Sequence, residues 1–273
     1  MKDMTVRKAL PGDIDGIAYI SRNTWDGEDY LEGRAEEWIA DGTLWVGVQA
    51  GTVVGTFRSF IIPPRVIWLE ALRIRPDMRG MGHGRRLSEK AFQRGAALIG
   101  AGAADSMEFS TYVFNHESIH IARSWGFREV DRFMLLQREV PADARGELEP
   151  ASVDLKDIEG EYLPCGWRFA RVSEEGLRWV MDRSDCLCFQ GTSFLRRRGG
   201  GGSTAPVMNG GFDIERYLRG AQISSAASGD SECTVILHRS RRSCISRALE
   251  YGFSPWEPVE DGNVLLFRWD PES

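Results

Sequence analysis

Arg79-Gly80-Met81-Gly82-His83-Gly84 is the stretch that decides the fold of this chain of 273 residues. It follows an apolar run typical of a strand, residues 66–74, and precedes a helical pattern over residues 85–99. Glycines permit a positive φ and a close backbone approach, and the first N–H groups of a helix lack intrahelical partners. Because the helix dipole also favours negative charge there, the stretch predicts an anion site, and we infer a pyrophosphate ligand.

An ordinary tight turn between strand and helix is the alternative for these six residues, since a glycine pattern alone is weak evidence. Two other phosphate motifs do not fit. A Walker A loop would end in Gly-Lys-Ser/Thr, whereas Gly84 is followed by Arg85-Arg86. A Rossmann fingerprint would open the first βα unit, whereas these glycines lie well into the chain.

The pattern Arg-x-x-Gly-x-Gly, after a strand that runs into Pro76, resembles the acetyl-CoA signature of the GNAT superfamily of N-acetyltransferases. Three further segments extend the resemblance. Residues 69–76 are similar to the family's fourth strand, residues 115–127 to the Asn-x-x-Ser/Ala to Gly-Phe segment of its later helix, and residues 6–17 to its first strand and helix. The resemblance covers roughly residues 4–140.

The resemblance implies an α/β (α+β) fold, in which a GNAT-type mixed central sheet is flanked by helices. The local patterns agree with it, and Gln49 to Thr52 read as a hairpin turn between alternating strands. The predicted strands lie at 4–9, 44–50, 53–62, 66–74 and 107–113, with closing strands within 127–140. The predicted helices lie at 13–22, 32–40, 84–99 and 116–124.

The chain is long enough for two domains. We predict an N-terminal acetyl-CoA-binding catalytic domain, a polar Pro-bounded linker, and a smaller, degenerate GNAT-like C-terminal domain. Their expected ranges are 1–140, 141–150 and 151–273.

A weak internal repeat supports the second domain, because residues 115–127 align without gaps on residues 241–253. The tract 196–203 formally repeats the signature. We interpret it as a loop without a clear preceding strand, since the Ser-Thr-Ala-Pro that follows cannot begin a stable helix.

The composition limits the classes of molecule that this protein is expected to bind. The net charge is −6, which argues against nucleic acid and is compatible with a cationic amine. No apolar run approaches the roughly 18–20 residues that span a bilayer, and the N-terminus lacks a signal-peptide core, so we expect a cytoplasmic protein without membrane contact. The five cysteines all lie in the C-terminal half and read as reduced thiols, with no metal site. We expect a monomer or a homodimer.

The resemblance also implies the chemistry, which is acyl transfer from acetyl-CoA to a primary amine of a small molecule or a protein N-terminus. Strand backbone would hold the pantetheine arm and the thioester, and loop amides would cradle the pyrophosphate. The cofactor-binding residues that the resemblance implies are Leu72, Arg73, Ile74, Arg79, Gly80, Met81, Gly82, His83, Gly84, Arg85 and Asn115.

An aliphatic amine must lose a proton, which costs about 4–5 kcal/mol at pH 7 for a lysine-like pKa. A carboxylate that receives this proton is what the site needs. Glu70 is the candidate, since it lies on the strand beside the thioester; the alternative is an ion pair with Arg73 or Arg58.

Many family members carry a tyrosine seven residues after the Asn, and this chain has Ala122 there. That departure motivates a second hypothesis, a non-catalytic acyl-CoA-binding or interaction module with a GNAT fold. Tyr112, His116, Ser118 and His120 are substitutes in the neighbourhood, and none stands out.

The segment from Trp25 to Glu32 holds four acids among eight residues, with Trp25 and Tyr30 interleaved. Charge and cation–π contacts could bind a cationic amine there. The alternative is an exposed acidic loop.

Overall fold

The computed structural model describes residues 4–199 and 202–271. The strands are β1 (Thr5–Lys8), β2 (Leu44–Gln49), β3 (Thr52–Ile62), β4 (Val66–Ile74), β5 (Ser106–Tyr112), β6 (Arg128–Glu139), β7 (Glu149–Pro150), β8 (Tyr162–Cys165), β9 (Arg168–Arg171), β10 (Ser184–Phe189), β11 (Thr192–Arg197), β12 (Ser203–Pro206), β13 (Glu232–His238) and β14 (Val264–Trp269). The helices are α1 (Ile14–Arg22), α2 (Ala35–Ala40), α3 (His83–Gly100), α4 (His116–Ser124), α5 (Glu174–Met181), α6 (Ile214–Ala227) and α7 (Arg242–Glu250).

One sheet joins twelve of the described strands, in the order β1-β2-β3-β4-β5-β14-β6-β13-β12-β11-β10-β7. Strands β8 and β9 form a separate hairpin. Parallel pairing occurs between β4 and β5 and between β12 and β13, and the remaining described pairs are antiparallel. The mixed sheet flanked by helices that the sequence predicts is therefore confirmed. No helix in the described ranges is long and apolar enough to cross a membrane.

Local patterns predicted most elements of the first half well. Strand β4 and helix α4 have the predicted bounds, and the hairpin turn is present with Ala50 and Gly51 at positive φ values of 52° and 82°. Consecutive left-handed residues match the right-handed twist of the strands that they join. The predicted helical segment 32–40 is present as a 3-10 turn, Glu32–Arg34, followed directly by the α-helix Ala35–Ala40.

The prediction of two closing strands within 127–140 is wrong. That segment forms the single strand β6, and the position between β5 and β6 is filled by β14 from the end of the chain. Phe267 of β14 lies opposite Phe109 of β5 and Glu129 of β6. A local pattern cannot reveal a pairing between residues more than a hundred positions apart, and only the buried apolar run of β14 hinted at a central strand.

The two halves repeat the same order of elements. The series β4-α3-β5-α4-β6 corresponds to β12-α6-β13-α7-β14, so α4 and α7 occupy matching places, as the internal repeat predicted. The final strand of each series pairs with the other series, β14 with β5 and β6 with β13. The proposed division into domains therefore crosses continuous strand pairing at the centre of the sheet.

The segment predicted as a linker packs on the second half. Ala144 is buried, and Gly146 lies so close to Ile223 of α6 that an added Cβ would come within 2.7 Å of its side chain. The glycine tract departs from expectation because strand β11 precedes it directly and β12 follows. Gly200 and Gly201 lie outside the described residues.

Each face of the sheet carries its own helices. Leu87 of α3 packs in one cluster with Val54 and Phe57 of β3 on the first face. On the second face, Arg58 of β3 lies over Trp38 of α2, with 4.3 Å from its Cζ to the ring centroid. The β8–β9 hairpin covers this second face as well, because Arg58 shares a carboxylate partner with a hairpin arginine.

We predict that Phe267→Ala lowers the free energy of unfolding by about 3–5 kcal/mol, the usual cost of deleting a buried aromatic ring. Phe267 is fully buried and stacks on Phe109 of the first half at 5.2 Å between ring centroids. Urea unfolding followed by circular dichroism measures the change, and both halves should unfold in one transition. Leu249→Ala on the exposed side of α7 is the control, with an expected effect within about 0.5 kcal/mol. Two separate transitions would contradict the coupling of the halves.

Candidate functional site

A bulge in β4 opens the sheet at the predicted cofactor strand. Thr56 of β3 lies opposite Arg73, whereas Arg58, two residues on, lies opposite Glu70, so β4 has one residue more than its partner. Ala71 within the bulge has a φ of 57°. A bulge bends its strand and strengthens the local twist, which turns the end of β4 away from its neighbour on the other side.

That neighbour is β5, and the two strands soon part. Their parallel pairing covers only Val66–Trp68 against Ser106–Glu108. The N–H of Arg75 donates to the Val54 carbonyl of β3 at 2.9 Å, so by strand alternation Leu72 and Ile74 direct their backbone groups toward β5. Within the described residues no strand pairs with this edge of β4 beyond Trp68. The result is a cleft in which the N–H groups of Leu72 and Ile74 on the β4 wall lack a strand partner among the described residues, while their carbonyls accept from Arg73 Nη1 at 3.1 Å and Arg79 Nε at 3.3 Å.

The glycine-rich loop closes one end of this cleft. Gly80 and Gly82 have φ values of 75° and 81°, which an L-residue adopts only under strain, and no described heavy atom lies within 4 Å of a Cβ added at either. Helix α3 begins at His83 and has no side-chain cap. The amides of its first turn, including those of Gly84 and Arg85, therefore lack intrahelical partners and are available to an anion.

The side chains of the loop point in different directions. Arg79 and Arg85 are exposed, and Arg79 Nε donates to the Ile74 carbonyl at 3.3 Å, across the mouth of the cleft. Met81 is exposed as well, whereas the ring of His83 is buried, and neither of its nitrogens has a partner among the described residues. His83 can thus offer a ligand its backbone N–H but not a solvent-facing imidazole.

Asn115 lies on the opposite wall, after the end of β5. Its side-chain oxygen accepts a hydrogen bond from the Ser118 N–H at 3.2 Å and so caps α4. The predicted role of Asn115 in cofactor binding stays a prediction. Ala122, where many family members have tyrosine, is buried against the sheet, and His116 and His120 on the same helix are exposed.

Glu70 is held by two arginines. Its Oε1 accepts from Arg58 Nη1 at 2.9 Å and from Arg168 Nη2 at 2.7 Å, and its Oε2 accepts from Arg168 Nε at 2.8 Å. Burial alone would raise the pKa of Glu70, but the guanidiniums of Arg168 and Arg58 outweigh it and lower the pKa below the ordinary value. The predicted ion pair with Arg58 is thus present. The catalytic role of Glu70 stays a prediction, and these surroundings weaken it as a base.

The acidic, aromatic segment before α2 is occupied by the chain's own Arg73. The Asp29 carboxylate accepts from Arg73 Nε at 3.1 Å, and Arg73 Cζ lies 4.1 Å from the centroid of the Trp25 ring and 5.7 Å from that of Tyr30. Glu32 is paired with Arg22. The contacts expected for a cationic substrate are therefore made by an internal cation. Asp29 is buried, but Trp25, Asp26, Glu28 and Tyr30 are exposed, so most of the segment is an exposed acidic loop, as the alternative predicted.

The β8–β9 hairpin covers the second face beside the cleft, and the sequence did not indicate this. Ser110 of β5 donates its hydroxyl to the Trp167 carbonyl in the hairpin turn. Trp167 stacks on Trp256 at 5.8 Å between ring centroids, and Trp256 reaches Tyr112 at the end of β5, at 5.3 Å. Residues of the second half thus form part of the wall around the end of β5.

A buried ion pair holds the hairpin to the sheet at a second point. Glu108 of β5 is fully buried, and its Oε1 accepts from Arg171 Nη2 at 2.6 Å, from Arg268 Nε at 3.0 Å and from the Tyr162 hydroxyl at 3.1 Å. Burial raises the pKa of Tyr162, so the phenol stays a donor at neutral pH. Glu108 lies in a strand of mixed polar and apolar residues, Ser106–Tyr112, so no sequence pattern indicated this network.

Comparison with known proteins indicates the same kind of domain as the geometry of the cleft. Residues 16–127 match the model of the acetyltransferase (GNAT) family. No curated protein matches the chain.

Among solved structures, the chain shares its fold with a proposed acetyltransferase from Thermoplasma acidophilum, with a TM-score of 0.69 and 18% identity over 97% of this chain and 99% of that chain. A second is a GCN5-related N-acetyltransferase from Sphaerobacter thermophilus, with a TM-score of 0.65 and 13% identity over 98% and 95% of the two chains. At these identities the likeness concerns the fold alone. With its family match over residues 16–127 and its splayed cleft before a glycine-rich loop, this chain carries a domain of the acetyltransferase (GNAT) family.

Proposed function

We propose that this protein is an acetyl-CoA-dependent N-acetyltransferase that transfers the acetyl group to a primary amine. The observation that carries the proposal is the continuity of two binding elements. The open edge of β4 at Leu72 and Ile74 leads to the uncapped N-terminus of α3 through Gly80 and Gly82. An extended arm that ends in a pyrophosphate, as in acetyl-CoA, matches both elements in order.

The backbone N–H groups of Leu72 and Ile74, which have no described strand partner, would hold the pantetheine arm and the thioester. A backbone N–H is a fixed dipole, so it can stabilise negative charge that develops on the thioester oxygen without reorganisation. The first-turn amides of α3 would hold the pyrophosphate, and the exposed guanidiniums of Arg79 and Arg85 would add attraction for phosphate. These roles follow the assignments that the sequence predicts.

The departing thiolate does not need a dedicated general acid. A thiol has an ordinary pKa of about 8.5, so the thiolate is a good leaving group near neutral pH. Ala122, where many relatives carry a tyrosine, therefore does not exclude turnover. The amine, by contrast, must lose its proton, and Glu70 remains the candidate base although Arg58 and Arg168 hold its carboxylate.

The direct test is turnover of the full chain, followed as release of the CoA thiol from acetyl-CoA in the presence of single primary amines. We expect release that depends on the amine and saturates with it. Stoichiometric binding of acetyl-CoA without release for small amines, amino acid derivatives and peptide N-termini would contradict a transferase and favour a non-catalytic acyl-CoA-binding module.

We predict that Gly82→Trp weakens acetyl-CoA binding by about tenfold or more, equivalent to at least about 1.4 kcal/mol. The indole would fill the space that the open loop offers to the pyrophosphate. Calorimetric titration measures affinity, with one site per chain expected in the unchanged protein.

Gly102→Trp is the matched control for this variant. Gly102 also has a positive φ, of 70°, and equally open space around an added Cβ, but it lies beyond the far end of α3. It should bear the same backbone strain and keep its affinity. Equal losses in both variants would mean that strain, and not a blocked site, weakens binding.

We predict that Glu70→Gln lowers the free energy of unfolding by about 3 kcal/mol near pH 7, because Arg58 and Arg168 lose their buried counter-charge. Since the folded-state pKa lies below the ordinary 4.5, this stabilisation is present above pH 4.5 and is lost as the pH falls through the folded-state pKa. Urea unfolding of both proteins at several pH values checks it.

Glu37→Gln, which breaks the exposed pair with Arg34, is the control, with an expected loss of less than about 1 kcal/mol. Kinetics then separate the two roles of Glu70. Unchanged stability, together with loss of the acid limb of kcat/KM against pH, would contradict a purely structural ion pair and support the general base.

A further inference from the structure

A cavity of about 400 Å³ lies beside the hairpin turn, in the second half of the chain. Its size is within the range of pockets that hold small molecules. Its floor is formed by the centre of the sheet, at Leu135 of β6 and Ile236 of β13. Trp167 lines it from the hairpin turn, and Trp256 lines it from the loop between α7 and β14. No role has been assigned to it so far.

Arg197 lines this cavity and has an unusual environment. It lies at the end of β11, and its stem packs on Gly166, where an added Cβ would approach Arg197 Cδ to 2.9 Å. In residues 4–199 and 202–271, its guanidinium makes no hydrogen bond or ion pair. Burial lowers the pKa of Arg197, and the neighbouring Arg168 and Arg34 add repulsion. A partly desolvated cation without a partner is costly, so such a group is usually kept for a ligand.

Ser203 also lines the cavity. The residue lies at the start of β12 and is only 7% exposed. Its hydroxyl has no hydrogen-bond partner within the described part of the chain, but the oxygen has almost no accessible surface. Ser203 therefore forms part of the wall and is not a donor to a ligand in the cavity.

The acids that line the cavity do not pair with Arg197. Asp230 is paired with Arg196, with 2.7 Å between its Oδ2 and Arg196 Nη2. Glu232 accepts from the neutral Gln137 Nε2 at 3.4 Å, at the exposed rim, and so keeps its charge there. Arg197 therefore has no carboxylate partner among the described residues of the lining. The stacked indoles of Trp167 and Trp256, tilted by 20°, add a flat apolar wall.

We propose that this cavity binds a small molecule with a carboxylate and a flat apolar body, in which Arg197 donates to the carboxylate and the two indoles cover the body. A guanidinium matches the planar carboxylate in a two-pronged hydrogen bond. A single cation balances a single negative charge, whereas a doubly charged phosphate would stay half-neutralised in a partly dry site. The proposal does not depend on the proposed acetyl transfer.

Benzoate and benzamide are a matched pair of probes, with the same ring and nearly the same shape but only one of them charged. We expect benzoate to bind the full-length protein. Benzamide should bind at least about tenfold more weakly, because it lacks the charge-assisted hydrogen bond. Calorimetric titration or ligand-observed NMR measures both affinities. Equal affinity of the two probes, or no binding of benzoate, would overturn the proposal, as would tighter binding of inorganic phosphate.

The variant is Arg197→Met, which removes the charge and keeps an unbranched stem. It should weaken benzoate binding by about tenfold or more and leave benzamide unchanged. Its melting temperature without ligand should equal or exceed that of the unchanged protein, because an unpartnered buried charge is removed. A fall in melting temperature would show that Arg197 stabilises the fold and would overturn the proposal.

Arg242→Met is the matched control, since Arg242 is exposed at the start of α7, remote from the cavity lining. It makes the same change of net charge. It should alter neither probe's affinity nor the melting temperature. Equal weakening of benzoate binding in both variants would mean that net charge attracts the anion and would overturn a specific site.

Discussion

The insertion of β14 between β5 and β6 is the constraint on which the rest of the structure depends. Residues 264–267 of this strand are buried to at least 98%, and their backbone pairs on both sides. Strand β5 is thereby held from the far side and cannot follow β4 when the bulge turns β4 away. The cleft that identifies the fold in the first half is thus kept open by a strand from the end of the second, which makes the two halves one structural unit.

Ion pairs also hold the two halves together on the second face of the sheet. Glu70 and Glu108 of the first half are buried carboxylates, and each receives an arginine from one strand of the hairpin, Arg168 and Arg171. A buried carboxylate without a partner would cost several kcal/mol, so the hairpin and the two acids depend on each other. The same pairing explains why Glu70 is a weak candidate for a base: the charges that make its burial possible also lower its pKa.

The features that the sequence predicted are local. The features that it missed depend on contacts between residues that lie far apart in the chain. The glycine loop and the hairpin turn at Ala50 and Gly51 are local patterns, in which a few residues specify their own backbone. The place of β14, and Trp167 and Trp256 around the end of β5, result from contacts between distant segments, and no periodicity encodes them. The segment from Trp25 had two interpretations, a site for a cationic amine and an exposed acidic loop. Most of it is exposed, and the cation that it holds is Arg73 of β4.

The charges on the second face of the sheet affect whether a protonated or a neutral amine can approach. Asp29 and Glu70 are paired with Arg73, Arg58 and Arg168. A protonated amine would therefore gain little attraction from these two carboxylates. Deprotonation before binding costs little for an amine of low pKa, whereas an ordinary aliphatic amine would lose about 4–5 kcal/mol. For the acetyl transfer that we propose, we therefore expect amines of low pKa, such as peptide N-termini with a pKa of about 8, to be better acceptors than lysine-like side chains.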